Sequence, residues 1–307
     1  MKMLNLIQMR ILMVAEKVML KRLPYLPVAI LVLIASFSGA VPASHAADSE
    51  HAVADFSGYW ERPERPSAAA VYYPVGDGPV PVTFSRDVEA GRQGLQYLGD
   101  YTNPILLPHA AEAVRAQHET YRRGEAVWSA WALCWPPGVP IALSMVWAVQ
   151  ILQSEDEVTI IYQMSQSVRH VYLNDGHPAD PKVSWFGHSV GHYEGDHTLV
   201  IDTIAQDPRA LTDRFGTPKS EAMRVVERYT ISADGQRLDI EFNVEDPQTF
   251  ATAWSAKVSY VRVPNGYRPS SAVGPQERIF PEFICPENNR DAAGGGHPIP
   301  VATTSDF

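Results

Sequence analysis

Cysteine is nearly absent from this chain, with two in 307 residues. Neither stands at a leader cleavage site, which argues against a lipoprotein anchor, and neither sits in the electropositive setting that activates a catalytic thiolate. Basic residues are also short, 25 Lys and Arg against 35 Asp and Glu. That balance repels phosphate backbones and anionic lipid, so nucleic acid is not an expected partner. Helix-forming stretches are scarce; one good candidate in so long a chain is no α/β pattern.

The long apolar run is confined to the start. Lys21 and Arg22 form a basic region, Leu26 to Phe37 an apolar stretch, and Ser44 to Ala46 a small-residue cleavage signal. Residues 1–46 therefore read as a secretory signal peptide, with Met19 as an alternative start. The expected location is periplasmic or secreted, with no membrane span after cleavage; retention of the run as an anchor is the alternative. Removing five basic residues and one acidic residue takes the net charge from −10 to −14. The chain beyond residue 46 is long enough for one large β domain. In an oxidising compartment Cys134 and Cys285 are expected to pair, tying the C-terminal segment to the chain ahead of the first long strand. Closing a loop that long is worth about 4–5 kcal/mol in the chain-entropy model. Two separate buried thiols are the alternative.

The domain, residues 47–290, begins with "DFSGYWERP", a first strand ended by prolines. Residues 63–104 are rich in Pro and Gly and read as irregular coverage. A helix is expected at about 108–123, with Pro108 near its start and Gly124 stopping it. After Pro140 come eight β-like runs separated by turns such as "SEDE", "NDGH" and "SADGQ". Such spacing marks an antiparallel meander. In "RLDIEFNVE" Leu238, Ile240, Phe242 and Val244 alternate with polar residues, as in a half-buried strand. Closing so many strands removes exposed edges, so the expected fold is all-β and mainly antiparallel: an up-and-down barrel with one flanking helix. Residues 291–307 read as a disordered tail.

Within "WFGHSVGHYEGDHTLVIDT" lies Gly187 to Gly191, GHSVG, which fits the G-x-S-x-G nucleophile elbow. An elbow needs a helix after its serine and a histidine later in the chain. Here a hairpin and another β run come next, and the only histidine beyond His197 is His297 in the tail. Ser189 is therefore not expected to be an acyl-transfer nucleophile. His188 and His192 are about 13 Å apart if both lie on one strand, too far to share an ion easily. A zinc site drawing on His170 or Asp202 stays open as an alternative. Asp202 interrupts an apolar run, and an inward carboxylate there would need Arg169 or Arg228. Glu227 and Arg228 are adjacent on one strand, so one of them must point inward.

Two functional readings result. In the first, the barrel binds a small hydrophobic or aromatic molecule, with Trp185, Tyr162, Trp254, Arg228 and His170 as candidate contacts. In the second, a cofactor-independent lyase, isomerase or hydrolase uses His188 as acid/base. Arg169 and Tyr172 would then bind an oxyanion, and Asp202 or Glu227 would assist. Neither requires a cofactor or metal, and both leave the oligomeric state open.

The stretch "SWFGHSVGHYEGDHTLVIDT", with "VRHVYLNDG" before it and "SEAMRVVERY" after, resembles a group of secreted bacterial proteins. Their pattern runs W-x-G-H-S-x-G-x-W-E-G-D-T-L-V-V-D-T and then S-E-x-x-x-V-x-E-R. The likeness spans residues 130–290 and implies kinship more than an activity. Tyr193 replaces the usual Trp, and His197 is an insertion. "FSGYW" is also similar to the G-x-W start of lipocalin-type barrels, which implies that Trp60 plugs one end and that the other opens on a ligand cavity.

Overall fold

A computed structural model describes residues 53–63, 72–80, 99–125, 135–145, 147–163 and 166–264, with backbone pairing also at 267–268 and 277–278. All of these lie in a compact unit beginning at Glu50. Cys134, Cys285, the proposed leader and the tail from 291 lie outside the described residues.

Period-2 alternation organises the domain. Nine strands close into a barrel: β1 (Gly58–Glu61), β3 (Val149–Gln153), β4 (Glu157–Tyr162), β5 (Val168–Leu173), β6 (His188–Glu194), β7 (Thr198–Ile204), β8 (Arg224–Ile231), β9 (Arg237–Glu245) and β10 (Trp254–Val263). The two-residue β2 (Tyr73–Pro74) adds to the side of β10, and β11 (Tyr267–Arg268) pairs with β12 (Glu277–Arg278). Closure comes from β1, which pairs with β3 on one side and β10 on the other. The fold is thus a lipocalin-like, up-and-down all-β barrel, and strict inside–outside alternation runs through β5, β8 and β9. The hydrophobic side of each strand fills one continuous core. Each large side chain buried there is worth about 1.5–3 kcal/mol.

One pairing departs from the expected antiparallel meander. β5 and β6 run parallel, Val171 opposite Ser189 and Leu173 opposite Gly191. Antiparallel neighbours alternate in direction, and an odd number of strands cannot alternate all the way round a closed ring. With nine strands one neighbouring pair must run parallel. The "NDGH" stretch is accordingly not a hairpin turn; it begins a crossover, residues 174–187, that carries the chain back to the end where β5 started.

The expected helix is present as α1 (Pro108–Arg122), and a second, one-turn helix, α2 (Ile141–Ser144), was not foreseen. α1 belongs to one end of the barrel, where Leu107 N–H donates to Thr249 O (3.0 Å) and Gln117 Nε2 to Arg214 O (2.7 Å). α2 covers the same end, its Leu143 carbonyl accepting from Tyr260 Oη (3.2 Å) and Arg62 Nη1 (3.4 Å). The N-terminal segment ties into the opposite end. Ala54 N–H donates to Asp196 O (2.7 Å), and Phe56 N–H to Gln153 Oε1 (2.8 Å). Trp60 is wholly buried, bonded through Nε1 to Phe56 O (2.9 Å) and covered by the Arg262 guanidinium 4.3 Å from its ring.

The GHSVG segment has a structural explanation. Gly187 closes the crossover with φ +67°, and a Cβ there would collide with the Ile204 carbonyl. Gly191 faces inward, where a Cβ would meet Val171 at 2.9 Å. Glycine is required at the first position by both backbone angle and space. Gly187→Ala is expected to cost about 2 kcal/mol, read as a lower urea midpoint at unchanged slope. An unchanged midpoint would mean the crossover has another way to close.

Candidate functional site

Four neighbouring strands, β5 to β8, place polar side chains at one level inside the barrel. Arg169 is the second residue of β5 and only 1% exposed. Its Nη1 donates to Glu227 Oε1 (3.0 Å), and Nη2 also bonds Glu227 through Oε2. Nη2 reaches Thr203 Oγ1 (2.6 Å), and Nε reaches Ser189 Oγ (3.1 Å). Ser189 and Thr203 share a further bond of 2.9 Å, and Tyr229 Oη donates to Glu227 Oε1 (3.1 Å). Burial on its own would lower the Arg169 pKa, but the Glu227 charge opposes it and the net direction is well above the ordinary value. Arg169 therefore stays charged, and the pair forms a closed ionic knot in a low-dielectric interior. Burial pushes the Tyr229 and Tyr162 phenols up, so both remain neutral donors.

Ser189, in the middle of this knot, sits on a strand and is 1% exposed. Its hydroxyl faces arginine and threonine rather than a base, so the elbow reading is excluded by placement. His188, one residue earlier, points through the other side of the wall.

The proposed acid–base set is divided by that wall. Arg169 and Glu227 lie inside; His188, Tyr172 and Asp202 lie outside. Asp202 does not reach Arg169 or Arg228 but binds Arg224 Nε and Nη2 at 2.9 and 2.8 Å. Period-2 geometry is the cause, because inward Ile201 and Thr203 force Asp202 outward. Tyr172 stacks on His188 at 5.4 Å, and His188 Nδ1 contacts His177 Nδ1 at 3.0 Å. Burial and His177 lower the His188 pKa, while Asp175 works in the opposite direction.

The proposed ligand contacts divide as well. Tyr162 and Trp254 are interior, 3% and 2% exposed. Arg228 is outside, bonded to Glu194 at 3.1 and 2.6 Å, and His170 is outside beside Glu157 (2.7 Å). Trp185 packs off the barrel wall against Trp135 (5.0 Å), with Arg209 4.7 Å from its ring. His192 lies 3.5 Å from Glu194. Among the described residues no three His, Cys, Asp or Glu side chains converge where a metal could sit, so neither His170 nor Asp202 completes a three-residue zinc site with His188 or His192 there.

Two buried ionisable groups carry no mark in the sequence. Lys219, in the loop between β7 and β8, donates to Val139 O (2.9 Å) and Gln206 Oε1 (3.2 Å). Burial pushes its pKa down to about 7, with Asp207 and Asp246 resisting. Asp213, in the same loop, accepts from the Phe215 and Thr217 amides (2.7 and 3.2 Å) through Oδ1, while Oδ2 has no partner. Burial pushes its pKa up to about 6. No periodic pattern marks loop residues, so only tertiary coverage reveals them. Thr203 and Tyr229 were legible in principle, since each alternates in phase with the inward residues of its own strand.

The strands define a closed β-barrel whose packed interior carries an arginine–glutamate knot among aromatic side chains. No family model matches the chain, and no curated protein matches it. No helix among the described residues is long and apolar enough to cross a membrane.

Proposed function

We propose that the barrel is an exported carrier that binds a small hydrophobic or aromatic molecule bearing a hydrogen-bond acceptor. The carrying observation is a pair of orphaned donors. Trp254 Nε1 is buried and finds no hydrogen-bond partner, and Tyr162 Oη is buried without a partner at good distance and angle, with only Arg169 and Tyr229 acting on it at longer range. A buried donor left unmade costs about 1–3 kcal/mol, which a ligand acceptor would recover. Tyr162 ends β4 and Trp254 begins β10, so the strand directions put both at the end covered by α1 and α2.

Aromatic surfaces surround each donor. Tyr162 stacks on Phe186 at 5.1 Å. Trp254 is edged by Tyr72 (5.3 Å), Phe250 (5.8 Å) and Phe242 (6.0 Å). These rings belong to the packed core, and a flat apolar body would have to displace part of that packing to reach the donors, with few polar groups then fixing its orientation. The signal-like leader supports export. The wall between His188 and Arg169 leaves the acid–base alternative without a single constellation to act on one substrate.

A matched probe pair tests the reading. 2-Acetylnaphthalene and 2-ethylnaphthalene share a shape and differ in an acceptor carbonyl. The carbonyl compound is expected to bind about fivefold more tightly, read by tryptophan-fluorescence quenching, and Tyr162→Phe should abolish that advantage. Absence of saturable quenching by either compound, or an advantage that survives in Tyr162→Phe, would overturn the assignment.

A further inference from the structure

We propose that His177 and His188 form a two-imidazole site for Cu²⁺ on the outer wall of the barrel, separate from the lumen. His177 belongs to the 174–187 crossover, and His188 is the first residue of β6. The parallel β5–β6 pairing forces that crossover and returns it beside its own end. Their Nδ1 atoms approach to 3.0 Å, with ring centroids 5.2 Å apart.

Proton placement is set by the surroundings. His177 Nε2 is buried, has no hydrogen-bond partner, and lies 3.6 Å from Asp202 Oδ2. Asp202 is itself held by Nε and Nη2 of Arg224. The carboxylate favours the tautomer with the proton on His177 Nε2, which turns the Nδ1 lone pair of His177 toward His188. A carboxylate behind a ligating imidazole is the usual outer support of a metal site, fixing tautomer and raising basicity. Tyr172, stacked on the His188 ring, fixes the second imidazole.

The spacing selects the ion. Two nitrogens bound at about 2.0 Å and separated by 3.0 Å subtend about 95–100° at the metal. Tetrahedral zinc would hold them about 3.3 Å apart and cis positions of a tetragonal Cu²⁺ about 2.8 Å, so the observed spacing lies nearer to Cu²⁺, whose binding shifts the proton of the Nδ1–Nδ1 hydrogen bond to His188 Nε2. Affinity order among divalent ions points the same way. No third protein ligand converges among the described residues, so the remaining positions are left to water or an exchangeable anion.

Electron paramagnetic resonance of the protein with one equivalent of Cu²⁺ gives the test. An axial spectrum with superhyperfine splitting from two nitrogens is expected. His177→Ala and His188→Ala should each weaken Cu²⁺ at least tenfold in a chelator competition and remove one nitrogen. His192→Ala, on the same outer face and 58% exposed at its side chain, should change neither readout. Asp202→Asn keeps both imidazoles and should weaken binding several-fold, a check that survives if an alanine variant fails to fold. Unchanged affinity in both histidine variants, or an equal loss in His192→Ala, would overturn the site.

Discussion

Glu227→Gln is expected to destabilise the protein by about 3–5 kcal/mol, the largest single-substitution effect expected in this barrel. The amide keeps the shape of the carboxylate but leaves the Arg169 guanidinium charged and uncompensated in the interior. Arg169 cannot shed its proton to escape, and its other partners, Ser189 and Thr203, are neutral. The cost comes from the orphaned charge rather than from a lost contact. A double replacement, Arg169→Met with Glu227→Leu, should therefore recover at least half of the loss, because both charges then leave together. Ser189 and Thr203 still bond each other in that variant. Urea unfolding of wild type, Arg169→Met, Glu227→Leu and the double variant closes the cycle, with Glu227→Gln measured beside it. If the double variant is as unstable as the sum of the singles, the two charges are not coupled as drawn.

Asp213→Asn is expected to act in the opposite direction, raising stability at neutral pH and above. The folded-state pKa of about 6 exceeds the ordinary value of 3.8. Between those values the folded protein holds a proton that the unfolded chain has released. Stability linked to this group is complete below about pH 4 and is lost as pH rises through about 6. A shift of that size corresponds to about 3 kcal/mol as an upper figure. Asparagine keeps the Oδ1 acceptor for the Phe215 and Thr217 amides and carries no charge to desolvate. The difference between variant and wild type should be near zero at pH 4 and approach its maximum by pH 8, followed by thermal or urea unfolding across that range. A gain that does not change with pH would show that Asp213 is solvated when ionised.

The two sides of the barrel wall explain why the candidate site was only half legible. Alternation in "VRHVYL" and "VVERY" fixes which residues share a face, so Arg169 with Val171, and Glu227 with Tyr229, were available from residue order. Which face is inward depends on neighbours. His188 and Arg169 are attractive partners by chemistry, yet His188 is out of phase with Ser189, which stands opposite Val171 in the parallel register. His177 read as one letter of a turn because the return crossover exists only when nine strands close.

The amino-acid order by itself determined the period-2 strands, the position of α1 and the closed all-β architecture, because these rest on local propensity and on the alternation of apolar and polar residues. Only the tertiary structure decided the parallel β5–β6 pair, the Arg169–Glu227 knot, the His177–His188 contact and the buried states of Asp213 and Lys219. Those depend on which strands become neighbours and which loops cover an end, and burial and charge pairing act between residues far apart in the chain.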